Sequence, residues 1–460
     1  MNSSTPFLPA LRAQLAPMGA RLVRARHTLQ TYTLGQLETH FGSCLPQTLF
    51  PKAARHTNSR DRSYTRWLTF WSMLWQGFNP KASGREVVRQ IQALFALQDR
   101  PPVATEDAAY CRAKARLPVS EFPKALAATA QAADQRAAPS ALLQGRRVKV
   151  VDGSSLTLAD TPKNRAAYPA LQSPAPNFPM LRIVVLFSLA SGAILSLATG
   201  NLHAAELPLL SQLFDQLLQG DILLGDQGFG NFTLLALLQT LHRGVDFIGR
   251  SARHVDRRHR LKRLGKQDWL VQWQRGPNPS LWLALAQWLA LPKQMTVRIV
   301  RGRISCKGFR QRQVTLVTTL LDARLYPAQH ILQAYLRRWR LEMCLDDLKT
   351  TLQMETLRAR TPDMVHRELY AHLMAHNLIR YTMVQAASAY AVPVERISFK
   401  GTLDAVRQFT QAISQARTGK KRRQLWSKLL ETLAADQVPE RPGRVEPRAV
   451  KRVKRKYRFC

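Results

Sequence analysis

Acidic residues are scarce in this chain: 30 Asp and Glu stand against 68 Lys and Arg in 460 residues, a formal net charge of +38. A field of that sign concentrates polyanions at the surface. Phosphate binding by such a surface is driven by counterion release, which makes nucleic acid the leading partner. An anionic membrane would need a basic amphipathic anchor or a lipidation signal, and the sequence offers neither. No run of about 18 apolar residues exists, so no transmembrane helix is expected. One of the longest apolar runs, 183–190, is only of strand length. The start lacks a charged segment followed by an apolar one, so no secretory signal is read. Cysteines number five and form no CxxC pair. They read as reduced thiols of a cytoplasmic protein, not as a disulfide framework or zinc site. A GxGxxG fingerprint is also missing, and the glycines of 225–230 have no Lys-Ser partner for a nucleotide phosphate.

Apolar content is sufficient for a large core: 45% of residues are hydrophobic. Residues 1–140 read as helical, a probable DNA-binding domain. There Trp67, Trp71 and Trp75, spaced by four, share one helix face. They could stack on bases, but burial is the favoured reading. The pattern then changes to short strands: 147–151 leading into Asp152, a hairpin over 181–199 turning at Ser191-Gly192, and 221–225 leading into Asp226. Helical spacing is expected over 203–218 and 232–242, with another strand at 245–249. Residues from about 251 to 320 read as a mainly β insertion, basic at its start and carrying Trp269, Trp273, Trp282 and Trp288. A long helix is expected over 327–352 and another over 364–387. The chain closes on basic segments, Lys420 to Arg423 and 448–458, suited to non-specific contact with nucleic acid. The fold class expected is α/β, a sheet covered by helices. Its divisions fall at 1–140, 141–360 and 361–460.

The most informative segment lies on the 327–352 helix. At about 100° per residue, Tyr335, Arg338, Glu342 and Lys349 fall within roughly 60° of one another. A stripe of one carboxylate, two cations and a phenol suits phosphodiester chemistry, although an amphipathic helix with a charged solvent face would give the same periodicity. Asp152 and Asp226 strengthen the chemical reading. Each follows an apolar β-type run and stands beside small residues, so each carboxylate can face a crevice at a strand end. Two such Asp and a helical Glu form a hard-oxygen set without Cys or His. That set suits two Mg²⁺ ions, with Mn²⁺ able to substitute. His372 and His376 share a helix face but lack the Glu of a zinc-protease motif, and read as core residues. Asp160 reads as a turn residue.

These residues carry a resemblance. Tyr335, Arg338, Glu342 and Lys349 reproduce the Y-x2-R-x3-E-x6-K signature of DDE transposases of insertion-sequence family 4. The segments Val151-Asp-Gly-Ser154, Gly225-Asp-Gln-Gly-Phe229, Thr361-Pro-Asp-Met-Val365 and His376-Asn-Leu-Ile-Arg380 are similar to that family as well. The likeness runs from about Trp67 to the C-terminus. It implies a ribonuclease H-like catalytic core holding Asp152, Asp226 and Glu342 around two metal ions. The interval from Asp226 to Glu342 (342 − 226 = 116 residues) leaves room for the β insertion. The resemblance further implies that Tyr335, Arg338 and Lys349 contact DNA near the cleaved end. It implies cut-and-paste transposition: a homodimer in the DNA complex, cleavage at inverted-repeat ends through a hairpin with a flipped base, and transfer of 3′ strands into target DNA. Another ribonuclease H-like endonuclease, or a catalytically silent transposase-derived DNA-binding protein, remains an alternative.

Overall fold

The computed structural model describes residues 41–46, 48–50, 63–97, 99–138, 142–170, 177–240, 244–251, 260–304, 312–416 and 418–439. Among the described residues a 3₁₀ turn at Gly42–Cys44 is followed by the helices α1 (Arg66–Phe78), α2 (Gly84–Leu97), α3 (Ala108–Ala115) and α4 (Glu121–Asp134). Thr65 starts α1 by accepting from the Leu68 N–H at 3.1 Å, satisfying one donor that the first turn leaves over. Trp71 on α1 is buried, and Trp67 meets it edge to face at 5.7 Å between ring centroids. With Trp75 packed on the same core, the tryptophan face is a packing face.

Next come β1 (Val148–Leu158), α5 (Pro162–Ala167), β2 (Met180–Ser188), β3 (Ile194–Asn201) and α6 (Glu206–Ser211). They are followed by β4 (Ile222–Gly225), α7 (Phe232–Thr240), β5 (Asp246–Arg250), β6 (Arg260–Gly265), β7 (Asp268–Gln274), α8 (Leu285–Ala290), β8 (Gln294–Ile304) and β9 (Arg312–Thr318). The chain continues with α9 (Ala328–Asp346), β10 (Thr356–Leu357), α10 (Pro362–Ala389), α11 (Phe399–Gln415) and α12 (Gly419–Ala435). Among the described residues the strands form one mixed sheet in the order β3-β2-β1-β4-β5-β9-β8-β7-β6, with β10 added to β1. The expected hairpin is present, and Gly192 takes a positive φ of 72° at its turn. The β-rich segment does not form a sheet of its own. Through β9, which pairs antiparallel with β5, it extends the central sheet.

Side chains alternate across the sheet, so each strand feeds two cores. Val148, Val150, Leu156, Ile222, Leu224 and Ile248 pack on one side, with α1, α4, α9 and α10. Val151, Leu223 and Phe247 pack on the other, with α6 and α7. Helix α10 is the axis of the first side. It is buried along most of its length and packs against α1, α4, α11 and α12.

Two expected helices differ. The 203–218 segment folds as the short α6 and a 3₁₀ turn at Phe214–Gln216. The 327–352 segment is α-helical only to Asp346 and then makes a π turn over Asp347–Thr351, closed by the Leu352 N–H donating to the Asp347 carbonyl at 2.9 Å. No helix among the described residues is long and apolar enough to cross a membrane. His372 and His376 are buried in α10, His376 stacked on Phe399 at 5.3 Å, and burial lowers the pKa of both. Asp160 pairs with Arg165 at the surface.

A polar clasp ties α10 to the sheet. Asn377 Oδ1 accepts from the Ile194 N–H at 2.7 Å, and its Nδ2 donates to the Ile194 carbonyl at 2.9 Å and to Thr129 Oγ1 at 3.1 Å. Arg380 donates from Nε to the Ser191 carbonyl at 2.7 Å, while Ser191 Oγ donates to Asp134 Oδ1. Replacing Asn377 by Ala strands the buried Ile194 groups. We expect a loss of about 3 kcal/mol, read as a lower urea midpoint.

Burial, opposed by Arg380, raises the Asp347 carboxyl to about 6. Its unfolded value is near 3.8, so over that interval the unfolded chain gives up the proton first. Folding stability therefore falls as pH rises from about 4 to about 6. Asp347→Asn should raise Tm at neutral pH, by on the order of 2 kcal/mol of stability, and leave it unchanged near pH 4.

Candidate active site

The site forms where two parallel strands part. Val148, Lys149 and Val150 on β1 pair with Ile222, Leu223 and Leu224 on β4. Two residues beyond the last of these pairs stand Asp152 and Asp226, where the two strands separate. Strand β4 ends at Gly225, but β1 runs on to Leu158. Asp152 is thus not at the end of its own strand, as the sequence suggested. It lies mid-strand, held by antiparallel pairing to Val185 of β2. The crevice is made by its neighbour stopping. On that edge β10 takes over at Thr157, so among the described residues 151–156 of β1 meet no strand there.

Both aspartates are half-buried. Asp152 Oδ1 accepts from the Gly153 N–H at 3.0 Å, and Asp226 Oδ1 accepts from the Gly228 N–H at 2.8 Å. These backbone bonds help to aim each carboxylate. Gly225 and Gly249 are paired across β4 and β5, and a Cβ on Gly249 would lie 2.9 Å from the Gly225 carbonyl oxygen. The strand ends can approach this closely only without side chains.

Helix α9 packs against β1, β5 and β8, on the side of the sheet that Val150 and Leu224 face. Ile331, Ala334, Tyr335 and Arg338 form its buried row. The Arg338 guanidinium stands over the Tyr335 ring, 5.3 Å from its centroid. Burial raises the Tyr335 phenol pKa, Arg338 and Arg250 oppose this, and the charge of Asp226 adds to it, which places the phenol in the electrostatic reach of the crevice. Glu342 follows Arg338 by four residues in the α9 backbone, one turn further along the same row of positions; its side chain lies outside the described residues. Lys349 is half-buried in the π turn. Because a π turn holds more residues than an α turn, the constant 100° spacing that set Lys349 on the stripe does not hold there.

One carboxylate escaped the sequence reading. Glu206, in the first turn of α6, extends to the same crevice from the opposite side of the sheet. A Cβ on Gly153 would collide with Glu206 Oε1. A Cβ on Gly228 would lie 3.3 Å from Asp226 Oδ1 and 4.0 Å from Glu206 Oε2. Burial and the charge of Asp226 raise the Glu206 pKa, and Arg182 opposes them. Within 203–218 Glu206 looked like any first-turn acid, and only the close approach to Gly153 distinguishes it.

Such a donor set, carboxylate oxygens beside side-chain-free glycines, fits a hard divalent cation better than a soft one. Among the described residues, no three His, Cys, Asp or Glu yet close around a single ion position. Of the insertion's tryptophans, Trp269, Trp273 and Trp288 are buried, Trp269 between Arg260 (4.4 Å) and Arg301 (5.8 Å). Trp282 is half-buried.

Comparison with known proteins identifies the family. The family model described as the transposase DDE domain matches residues 143–378. That span starts before β1 and ends within α10, and it contains both aspartates and Glu342. The transposase InsG of insertion sequence element IS4 from Escherichia coli (strain K12) is 27% identical over 399 residues, covering 84% of this chain and 85% of the relative. Among solved structures, the piggyBac transposase synaptic complex with hairpin DNA aligns over 91% of this chain and 86% of that one, at 10% identity and a TM-score of 0.39, a likeness too low to bear on the fold. With the family model covering more than half of its length, this chain belongs to the DDE-domain transposases, on the branch of insertion sequence IS4, and is an enzyme of DNA transposition.

Proposed function

We propose that the chain is a cut-and-paste transposase with a ribonuclease H-like core, cleaving the ends of its element and transferring the 3′ strands into target DNA. The observation that supports this reading is the β1–β4 register, whose last pair lies two residues before both Asp152 and Asp226. Asp152, Asp226 and Glu342 would hold two divalent ions, Mg²⁺ in the cell. When bound, such ions activate the attacking hydroxyl and stabilise the leaving oxygen of an in-line displacement. The chain's own groups do the rest. Arg338 and Lys349 neutralise phosphate oxygens beside the cleaved bond, and the Tyr335 phenol, packed under Arg338, orients that guanidinium toward the crevice. Inverted-repeat ends of the element and target DNA are the partners, held by a homodimer. If hairpin formation extrudes a base, Trp282 is the one of the four insertion tryptophans with ring surface left to stack on it.

Helix α12 supplies a phosphate-binding surface. Lys420, Lys421 and Arg423 are exposed in its first turns. Cations there oppose the helix dipole, and a polyanion removes the conflict. The tail of 448–458 lies outside the described residues.

Excision of a marked element by the purified protein tests the reading. Wild type should release the element and join 3′ ends. Asp226→Asn and Glu342→Gln should bind DNA and leave it uncut; cutting by either variant would refute the assignment. A plain nuclease would cut without joining, and a silent binder would shift DNA without breaking it. The salt dependence of binding supplies a second check. Replacing Lys420, Lys421 and Arg423 by Ala should flatten the slope of log K against log salt by about 3, close to 0.9 for each lost phosphate contact. An unchanged slope would remove α12 from the interface.

A further inference from the structure

We infer that Glu206 is a fourth carboxylate of the metal site, reaching the ions from α6 on the sheet side opposite α9. The inference rests on the metal-dependent reading above and adds a residue to it. Three observations carry it. First, the Glu206 carboxylate occupies the space that a side chain at position 153 would fill, on the face of β1 that Val151 shares. Second, Glu206 Oε2 and Asp226 Oδ1 both lie within 4.0 Å of one point above Gly228. Third, the approach to the crevice is built: Asn201 Oδ1 accepts from the His203 and Ala204 N–H groups at 3.1 Å, and Arg182 Nη1 donates to the Ala204 carbonyl at 2.7 Å. Together these contacts fix the turn that launches α6.

A merely structural acid would do otherwise. A first-turn Glu favours the helix N-terminus from solvent, with no reason to approach Asp226. Like charges at this spacing repel, so the geometry is useful chiefly when cations sit between them. The side chain, with three rotatable bonds, closes the remaining gap to an ion beside Asp226 by a rotamer change. Gly153 then has a definite role: it leaves the space in which the Glu206 carboxylate sits.

The test uses the full chain and Mn²⁺ alone, with bound metal followed by the loss of the free Mn²⁺ electron paramagnetic resonance signal. Wild type, Glu206→Gln, Gly153→Ala and Asp226→Asn are compared, with thermal melting in chelator as the fold control. Glu206→Gln should weaken Mn²⁺ binding by about tenfold or more, the range found when groups supporting a metal site are removed. Gly153→Ala, which displaces the carboxylate while retaining it, should weaken binding in the same direction, so the inference stays testable if one variant melts early. Wild-type Mn²⁺ affinity in both, alongside loss in Asp226→Asn, would overturn the role of Glu206 and leave the metal site standing. Unchanged affinity in all three variants would overturn the metal-site reading itself.

Discussion

Parallel hydrogen bonding between β1 and β4 is the constraint on which the rest of the site depends. The pairing sets the height of Asp152 against Asp226, and a slip by one residue would send one carboxylate to the opposite face of the sheet. Register of this kind is held by burial on both faces. Val150 and Leu224 are committed to one core, and Val151 and Leu223 to the other. A slip would exchange both sets at once. The cores therefore fix the positions at which the two aspartates leave β1 and β4.

The third element of the site is positioned more indirectly. Helix α9 comes from the end of the β-rich segment, and its entry is tied down by Arg298. That side chain is fully buried, paired with Asp268 through Nε at 2.8 Å and Nη2 at 2.5 Å, and donates from Nη1 to the Tyr326 carbonyl at 2.7 Å, just before the helix begins. A buried pair of this kind adds little net stability, because desolvation offsets the attraction. Its value here lies in direction: one guanidinium joins β7, β8 and the approach to α9. At the far end the clasp of Asn377, Arg380, Ser191 and Asp134 does the same for α10.

How much of this was legible from residues alone depended on the range of each interaction. The hairpin at Ser191-Gly192, the termination of β4 before Asp226 and the α9 backbone through Glu342 are local, set by turn residues and apolar spacing. The order of the acidic motifs was legible for the same reason. The extension of β1 past Asp152 was not, because its pairing comes from β2 and β10, the latter some two hundred residues away. Nor was the π turn at Lys349, whose sequence continues a regular helical pattern. Glu206 was hidden by its ordinary surroundings: its significance comes from a glycine on another strand. Asn377 and Arg380 stood within a segment resembling the family, but the bonds they make lie across the sheet from it in sequence.

The continuity of the sheet carries a mechanical consequence. From β4 to β6 the strand order takes five steps, each joined to the next by backbone hydrogen bonds. At about 4.8 Å per step the outer strand stands about 24 Å from the edge where the aspartates sit. Strands β6 to β9 are therefore an arm of fixed reach and not a hinged flap. Arg260, against Trp269 on the outermost pair of strands, is held at a set distance from the acids, and a change in the insertion's loops would leave that gauge unaltered.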